Sequence, residues 1–212
     1  MVKSKNIIVF VSGSGSNFKS IYKDIRHGKI NGEIVLLISN NSSCKAVEFA
    51  KQNGIQVSII KDEIISDIDK YESCLFEILE SVEVDLIVLA GYLKMIPSNI
   101  ILKYRNQIVN IHPSLLPKFG GKGFYGMNVH RSVIKAKEAF TGATVHFVDE
   151  VYDNGPIISQ RKIEVLKDDN PESIARKVLA IEHTLLPYVV RKFCSEDITF
   201  KGEKPIITGD EE

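Results

Sequence analysis

Short runs of β-branched and aliphatic residues alternate with longer amphipathic segments through the first half of the chain, and that alternation constrains the fold more than any other feature. A strand period followed by a helix period, repeated, is the mark of βαβ units, which bury their apolar faces on a parallel sheet. The spacing predicts strands at about 6–12, 33–39, 55–60 and 84–90, and helices at about 16–27, 43–53 and 67–81. The third helix carries Leu75, Ile78, Leu79 and Val82 on one face. A further strand from Gln107 to Ile111 is cut off by Pro113. TGATVHFVDEVYDNGPIISQRKIEV predicts two strands joined by a loop at about 149–154, an antiparallel edge in the C-terminal half. A last helix from Pro171 to Phe193 opens with Asn170 as N-cap, Pro171 at the first helical position and Glu172 where a negative charge suits the macrodipole. The polar tail beyond Phe193, ending GDEE, is expected to fray. The fold class is α/β, with a mostly parallel sheet.

At 212 residues, 44% hydrophobic and 25% charged, the chain can bury one core, so a single domain over 1–212 is expected. Lys+Arg and Asp+Glu both number 27, which leaves no global field to draw in nucleic acid or an anionic membrane. The expected partners are small molecules, with no nucleic acid and no membrane, and a homodimer stays open. Any bound anion needs a local site. Cys44, Cys74 and Cys194 are scattered, with no CxxC and no zinc spacing, which suggests reduced thiols, a cytoplasmic location and no metal. The start MVKSKNIIVFVS lacks the full apolar region and cleavage site of a signal peptide, and no later run approaches a membrane span.

The first predicted strand ends in VSGSGSNF, residues 11–18. In a doubly wound sheet, a glycine-rich turn into a helix aims backbone N–H groups and the positive end of the macrodipole at one spot, a cradle for phosphate. Gly13 and Gly15 permit the turn, and Ser16 and Asn17 can cap the helix or donate to phosphate oxygens. The third glycine of a dinucleotide fingerprint would fall on Phe18, and no Gly-Lys-Ser/Thr of a Walker loop follows. A bare strand-to-helix turn is the alternative.

In VNIHPSLLP, residues 109–117, Asn110 and His112 leave one face of a strand end. An amide donor and a protonated imidazole at one spot can stabilise an oxyanion, and the imidazole can relay a proton. Ordinary strand-end hydrogen bonding is the alternative. A carboxylate would orient the ring and favour its charged form. DEVYDNGP, 149–156, offers Asp153 in a turn before Asn-Gly-Pro, with Asp149 and Glu150 as solvated or turn-forming residues. No serine or cysteine is evidently paired with a base, so direct group transfer is preferred over a covalent intermediate.

SGSGSN, LAGYLKMIP at 89–97, NIHPSLLP at 110–117, GATVHFVDEVYDNGPII at 142–158 and IEHTLLP at 181–187 together resemble the phosphoribosylglycinamide formyltransferases, in order from about residue 6 to 193. The resemblance implies a Rossmann-like doubly wound sheet. It also implies transfer of the formyl group of 10-formyltetrahydrofolate, a co-substrate, to the amine of glycinamide ribonucleotide in de novo purine biosynthesis, through a tetrahedral intermediate. By motif, Gly15, Ser16 and Asn17 would bind the ribonucleotide phosphate and Glu182 would contact the ribonucleotide near its amine, although an exposed helix carboxylate is the plainer account of Glu182. Asn110, His112 and Asp153 match the catalytic trio. Leu93, Lys94, Met95 and Ile96, with Asn110, would meet the folate, core packing being the alternative for the apolar loop. Lys70 is the nearest match to a basic residue near the folate, against an exposed helix lysine.

KFGGKGFYGMNVH, 118–130, is longer and richer in glycine than family forms and receives no role, as a flap or a surface loop. His146 lines the pocket or is buried by its strand, and His27, His130 and His183 are read as capping or surface residues. Initiator-tRNA formyltransferases and formyltetrahydrofolate hydrolases share the trio, so the acceptor is inferred from SGSGSN. The tRNA enzymes would add a C-terminal domain and a basic surface, and the hydrolases an N-terminal regulatory domain. A non-catalytic binder of nucleotide or folate is disfavoured by the intact trio, and a transferase using formate directly would need an ATP loop.

Overall fold

The computed structural model describes residues 3–209. The chain divides into two compact units, up to Asn110 and from Ile111 onward. In the first unit β1 (Lys5–Val11), β2 (Gly32–Ser39), β3 (Gln56–Ile59) and β4 (Leu86–Leu89) alternate with α1 (Ser16–Arg26), α2 (Lys45–Gln52), α3 (Asp62–Ile65), α4 (Ile68–Glu80) and α5 (Ser98–Lys103). β1 pairs in parallel with β2 and β4, and β2 with β3. β5 (Ile108–His112) runs through the boundary and pairs in parallel with β4. The second unit adds α6 (Met127–Lys135), β6 (Phe140–Phe147), β7 (Ile157–Glu164), α7 (Pro171–Cys194) and the hairpin β8 (Ile198–Lys201) and β9 (Lys204–Ile207).

The sheet order is β3-β2-β1-β4-β5-β6-β7, with β6 and β7 antiparallel. The mostly parallel, Rossmann-like sheet with an antiparallel edge is therefore borne out. The chain returns from β3 to the far side of β1, so the carboxyl ends of β1 and β4 form the switch point where open α/β sheets take ligands. β1 and β4 are buried almost without break from Ile7 to Val11 and from Leu86 to Val88, as strands covered on both faces must be. On α4 the buried stripe is Tyr71, Leu75 and Leu79, spaced by four, while Val82 lies beyond the helix end.

Four elements depart from the sequence expectation, the single-turn helix α3 among them. Helix α5 is short and follows a proline, too brief for a period of 3.6 to register. The stretch 118–130 is not all loop, since α6 begins at Met127 and buries Val129 and His130. The tail does not fray through its described part: β8 and β9 pair, Phe200 stacks on Phe147 with ring centroids 5.5 Å apart, and buried Lys192 reaches the Thr208 carbonyl at 3.1 Å. Residues 210–212 of the expected fraying end lie outside the described residues. Asn170 caps α7 as expected, in a reciprocal box with Ser173: the Ser173 amide donates to Asn170 Oδ1 at 2.9 Å and the Asn170 amide to Ser173 Oγ at 3.0 Å.

Candidate active site

Within the first unit, β1 passes into α1 through Gly13, Ser14 and Gly15. Gly15 sits at φ 67°, and a Cβ there would come within 2.5 Å of the Ala46 Cβ. Only glycine fits both the left-handed turn and this approach to the start of α2. The first turn of α1 carries no acidic residue, and its N-cap is Gly15, which has no side chain to cap with. The orphan N–H groups and dipole of this helix end thus face no competing carboxylate of their own turn.

The LAGYLKMIP loop leaves β4 beside this turn. The amide of Ala90 donates to Phe10 O (2.9 Å), Ser12 to Gly91 O (3.2 Å) and Leu93 to Ser12 Oγ (3.0 Å). Tyr92 is buried, packs edge-on to Phe10 and shares a 2.8 Å hydrogen bond with the Tyr71 hydroxyl of α4. Burial pushes the Tyr92 phenol up to about 12, the Tyr71 bond opposing. Leu93 and Met95 stay exposed at 57% and 44%, Ile96 is buried, and Lys94 pairs with Asp62 at 3.1 Å. The loop therefore sends its tyrosine inward and holds two apolar side chains outward. Lys70, in the first turn of α4, is paired with Asp67 at 2.7 Å and borders a surface cleft of about 430 Å³ with Ile64, Asp69, Ser73, Cys74 and Glu77. The Asp67 carboxylate raises the Lys70 ammonium above its usual range.

Asn110 and His112 lie at the end of β5, the first half-buried and the second 4% exposed. In the second unit, His112 Nδ1 is 3.4 Å from Asp153 Oδ2, and Nε2 is 2.7 Å from the Phe119 carbonyl oxygen. A carbonyl only accepts, so Nε2 carries a proton, and a charged ring satisfies both neighbours. The Gly121 amide donates to the same Asp153 oxygen at 2.9 Å, and His146 Nε2 lies 3.7 Å from the other. That last distance is electrostatic contact rather than a hydrogen bond. Burial works to raise the Asp153 carboxyl, but the imidazoles of His112 and His146 and the Gly121 amide more than offset it and hold the group well below the usual carboxylate range. His146 is fixed from behind, Nδ1 donating to Phe147 O at 2.8 Å.

Local sequence explains the turn that presents Asp153. Asp149 accepts from the Val151 amide and from Asn154 Nδ2, both at 2.9 Å, in the turn-forming role expected of it. Asp153 adopts φ 55°, which a short polar side chain tolerates. Gly155 admits no Cβ, which would fall 1.9 Å from Phe147 O, so β7 can start directly against the end of β6. The loop after His112 is tied down by Thr144, whose hydroxyl donates to Ser114 O (2.6 Å) and accepts from the Leu116 amide (3.1 Å) and Gln160 Nε2 (2.8 Å).

His112, Asp153 and His146 are thus brought together, as are the two loops at the ends of β1 and β4. Glu182 is buried on α7 rather than an exposed helix carboxylate. Sequence reading missed the Phe119 carbonyl and Gly121 amide, which no side-chain pattern announces. It also misplaced His130, which is 5% exposed on α6; burial first, and the nearby His112 second, lower its basicity. The signal was available in Val129, His130 and Val133, the apolar face of a short helix. His27 is the exposed C-cap of α1, as expected. Among the described residues no group of three or more His, Cys, Asp or Glu is arranged to hold a metal ion, and no helix is long and apolar enough to cross a membrane.

Residues 5–190 match the formyl transferase family model. A chloroplastic phosphoribosylglycinamide formyltransferase of Vigna unguiculata is 45% identical over 95% of this chain and 65% of its own length. Its Arabidopsis thaliana counterpart is 42% identical over 95% of this chain and 69% of its own. The chain spans about two thirds of these curated relatives, and their chloroplastic description does not match the cytoplasmic location expected from the sequence. Among solved structures, glycinamide ribonucleotide transformylase 1 of Symbiobacterium toebii superposes with a TM-score of 0.89 at 32% identity, over 97% of this chain and 95% of that one.

Proposed function

The chain belongs to the formyl transferase family, among its phosphoribosylglycinamide formyltransferases, and from that premise we propose that it transfers the formyl group of 10-formyltetrahydrofolate directly to the amine of glycinamide ribonucleotide. The observation that carries the mechanism is the His112–Asp153 pair at the end of β5, two residues from Asn110. The ribonucleotide amine attacks the formyl carbon, and the carbonyl oxygen becomes the oxyanion of a tetrahedral intermediate. Asn110 Nδ2 and protonated His112 stabilise that charge. Because Nδ1 faces Asp153, Nε2 is the nitrogen that serves the substrate, whose oxygen would replace the Phe119 carbonyl that Nε2 holds. As the bond from carbon to the folate nitrogen breaks, His112 passes a proton to that nitrogen and recovers one from the attacking amine. Asp153, anchored by Gly121, keeps the ring oriented with Nε2 toward the reacting groups.

Gly15, Ser16 and Asn17 hold the ribonucleotide phosphate on this reading, supported by the strain-tolerant turn and the acid-free start of α1. Glu182 meets the ribonucleotide near its amine. Leu93, Lys94, Met95 and Ile96 receive the folate, the outward Leu93 and Met95 offering apolar contact. Lys70 is left as a weaker folate contact, since Asp67 already neutralises it. The reading includes one formyltransferase domain, small-molecule substrates, no metal, and a reducing compartment such as the cytoplasm.

The test is absorbance-monitored consumption of 10-formyltetrahydrofolate by purified protein with and without glycinamide ribonucleotide. Consumption that requires the ribonucleotide is expected. Consumption without it would replace the proposal with a hydrolase, and none in either case would leave a binding protein.

A further inference from the structure

Ser12 directly follows β1, one residue before the glycine turn, and touches the donor loop twice. Its backbone amide holds the Gly91 carbonyl at 3.2 Å and its hydroxyl oxygen accepts the Leu93 amide at 3.0 Å. The first bond continues the β1–β4 ladder by one step past Ala90 to Phe10, and the second ends it with a side chain where the next residue, Gly13, has turned away toward α2, its carbonyl accepting from the Ala46 amide at 3.4 Å. These two bonds fix the peptide planes on either side of Tyr92. Gly91, at φ 78°, gives no stiffness of its own, and Leu93 is mostly exposed. The inward anchor, Tyr92, is set by Phe10 and Tyr71, whereas the backbone of Leu93 is held by the Ser12 hydroxyl.

We propose that Ser12 is a positioning residue for the folate loop: its hydroxyl sets the register in which Leu93 through Ile96 meet the donor, and it ties that loop to the phosphate turn it introduces. This rests on the folate assignment above and deepens it. Ser12 does no chemistry and touches neither reacting group. A neutral hydrogen bond of this kind changes an equilibrium by about 2- to 10-fold, so its loss should appear as weaker donor binding rather than slower chemistry.

Steady-state kinetics of wild type, Ser12→Ala, Ser12→Thr and Ser12→Cys, varying each substrate in turn, test the assignment. Ser12→Ala should raise KM for 10-formyltetrahydrofolate about fivefold, with kcat and the ribonucleotide KM each within about twofold. Ser12→Thr keeps the acceptor and should return the folate KM to near wild type. Ser12→Cys, a weaker acceptor of similar size, should give a smaller rise, and it carries the test if the alanine variant does not fold. An unchanged folate KM in the alanine and cysteine variants, or an equal loss in kcat and both KM values, would overturn the inference. Wild type that turns over normally beside such variants sinks this inference alone, whereas wild type without folate-dependent transfer sinks the functional reading and this inference with it.

Discussion

Replacing Asp153 by asparagine isolates the charge at the centre of the site from its shape. An asparagine carbonyl in place of Oδ2 can keep both the Gly121 amide, at 2.9 Å in the wild type, and His112 Nδ1, at 3.4 Å. The substitution removes the negative charge and turns an amide NH2 toward His146. Two unit charges about 4 Å apart attract by about 4 kcal/mol at the effective dielectric of a partly buried site, and the amide dipole recovers part of that, leaving about 3 kcal/mol. If His112 must be charged as the oxyanion forms, the whole of this loss falls on the transition state, and 3 kcal/mol is about two decades in rate. The expectation is a kcat about 10²-fold below wild type with ribonucleotide affinity unchanged, measured by single-turnover formyl transfer alongside titration calorimetry of the ribonucleotide. A rate within about fivefold of wild type would show that the carboxylate's charge does not act through His112, and the mechanism would fail.

The same carboxylate makes a stability prediction. Its folded-state pKa is depressed, so its stabilising contribution is complete above the unfolded value of about 3.9 and is lost as pH falls through the lower folded value. Thermal unfolding of wild type should therefore weaken more steeply below about pH 4 than that of Asp153→Asn, and parallel profiles would contradict the pairing. Gly15→Ala forces a Cβ against Ala46 at φ 67° and should cost about 1–3 kcal/mol in a denaturant melt while raising the ribonucleotide KM. His112→Ala should abolish measurable transfer while calorimetry still shows ribonucleotide binding; a near wild-type rate would remove the imidazole from the reaction.

Much of the fold was legible because its signals are local. The alternation of apolar periods announced β1 to β4 with α1, α2 and α4, and Asn170-Pro171-Glu172 announced α7. The spacing of Asn110 and His112 placed them on one strand face, since a period of two does so whatever the rest of the chain does, while the role expected of them came from the family resemblance. Asp153 was visible as a carboxylate in an Asn-Gly-Pro turn. What the sequence alone could not decide were the partners supplied across large separations. The Gly121 amide on Asp153, the Phe119 carbonyl on His112 and the Ser12 hydroxyl on Leu93 are backbone-dependent bonds, and a backbone group carries no residue-type signature. His130 was misread for a different reason: its burial depends on which helix face meets the core, and the Val129–His130–Val133 face that signals it sits at the end of a glycine-rich stretch read as loop. The tail pairs as a hairpin whose Phe200 stacks on Phe147, a partner that only the folded chain puts within reach. Residue types thus determined which side chains the strand end and the turn can offer, and tertiary packing decided which backbone groups orient them, because orientation comes from contacts between segments that are distant in the sequence.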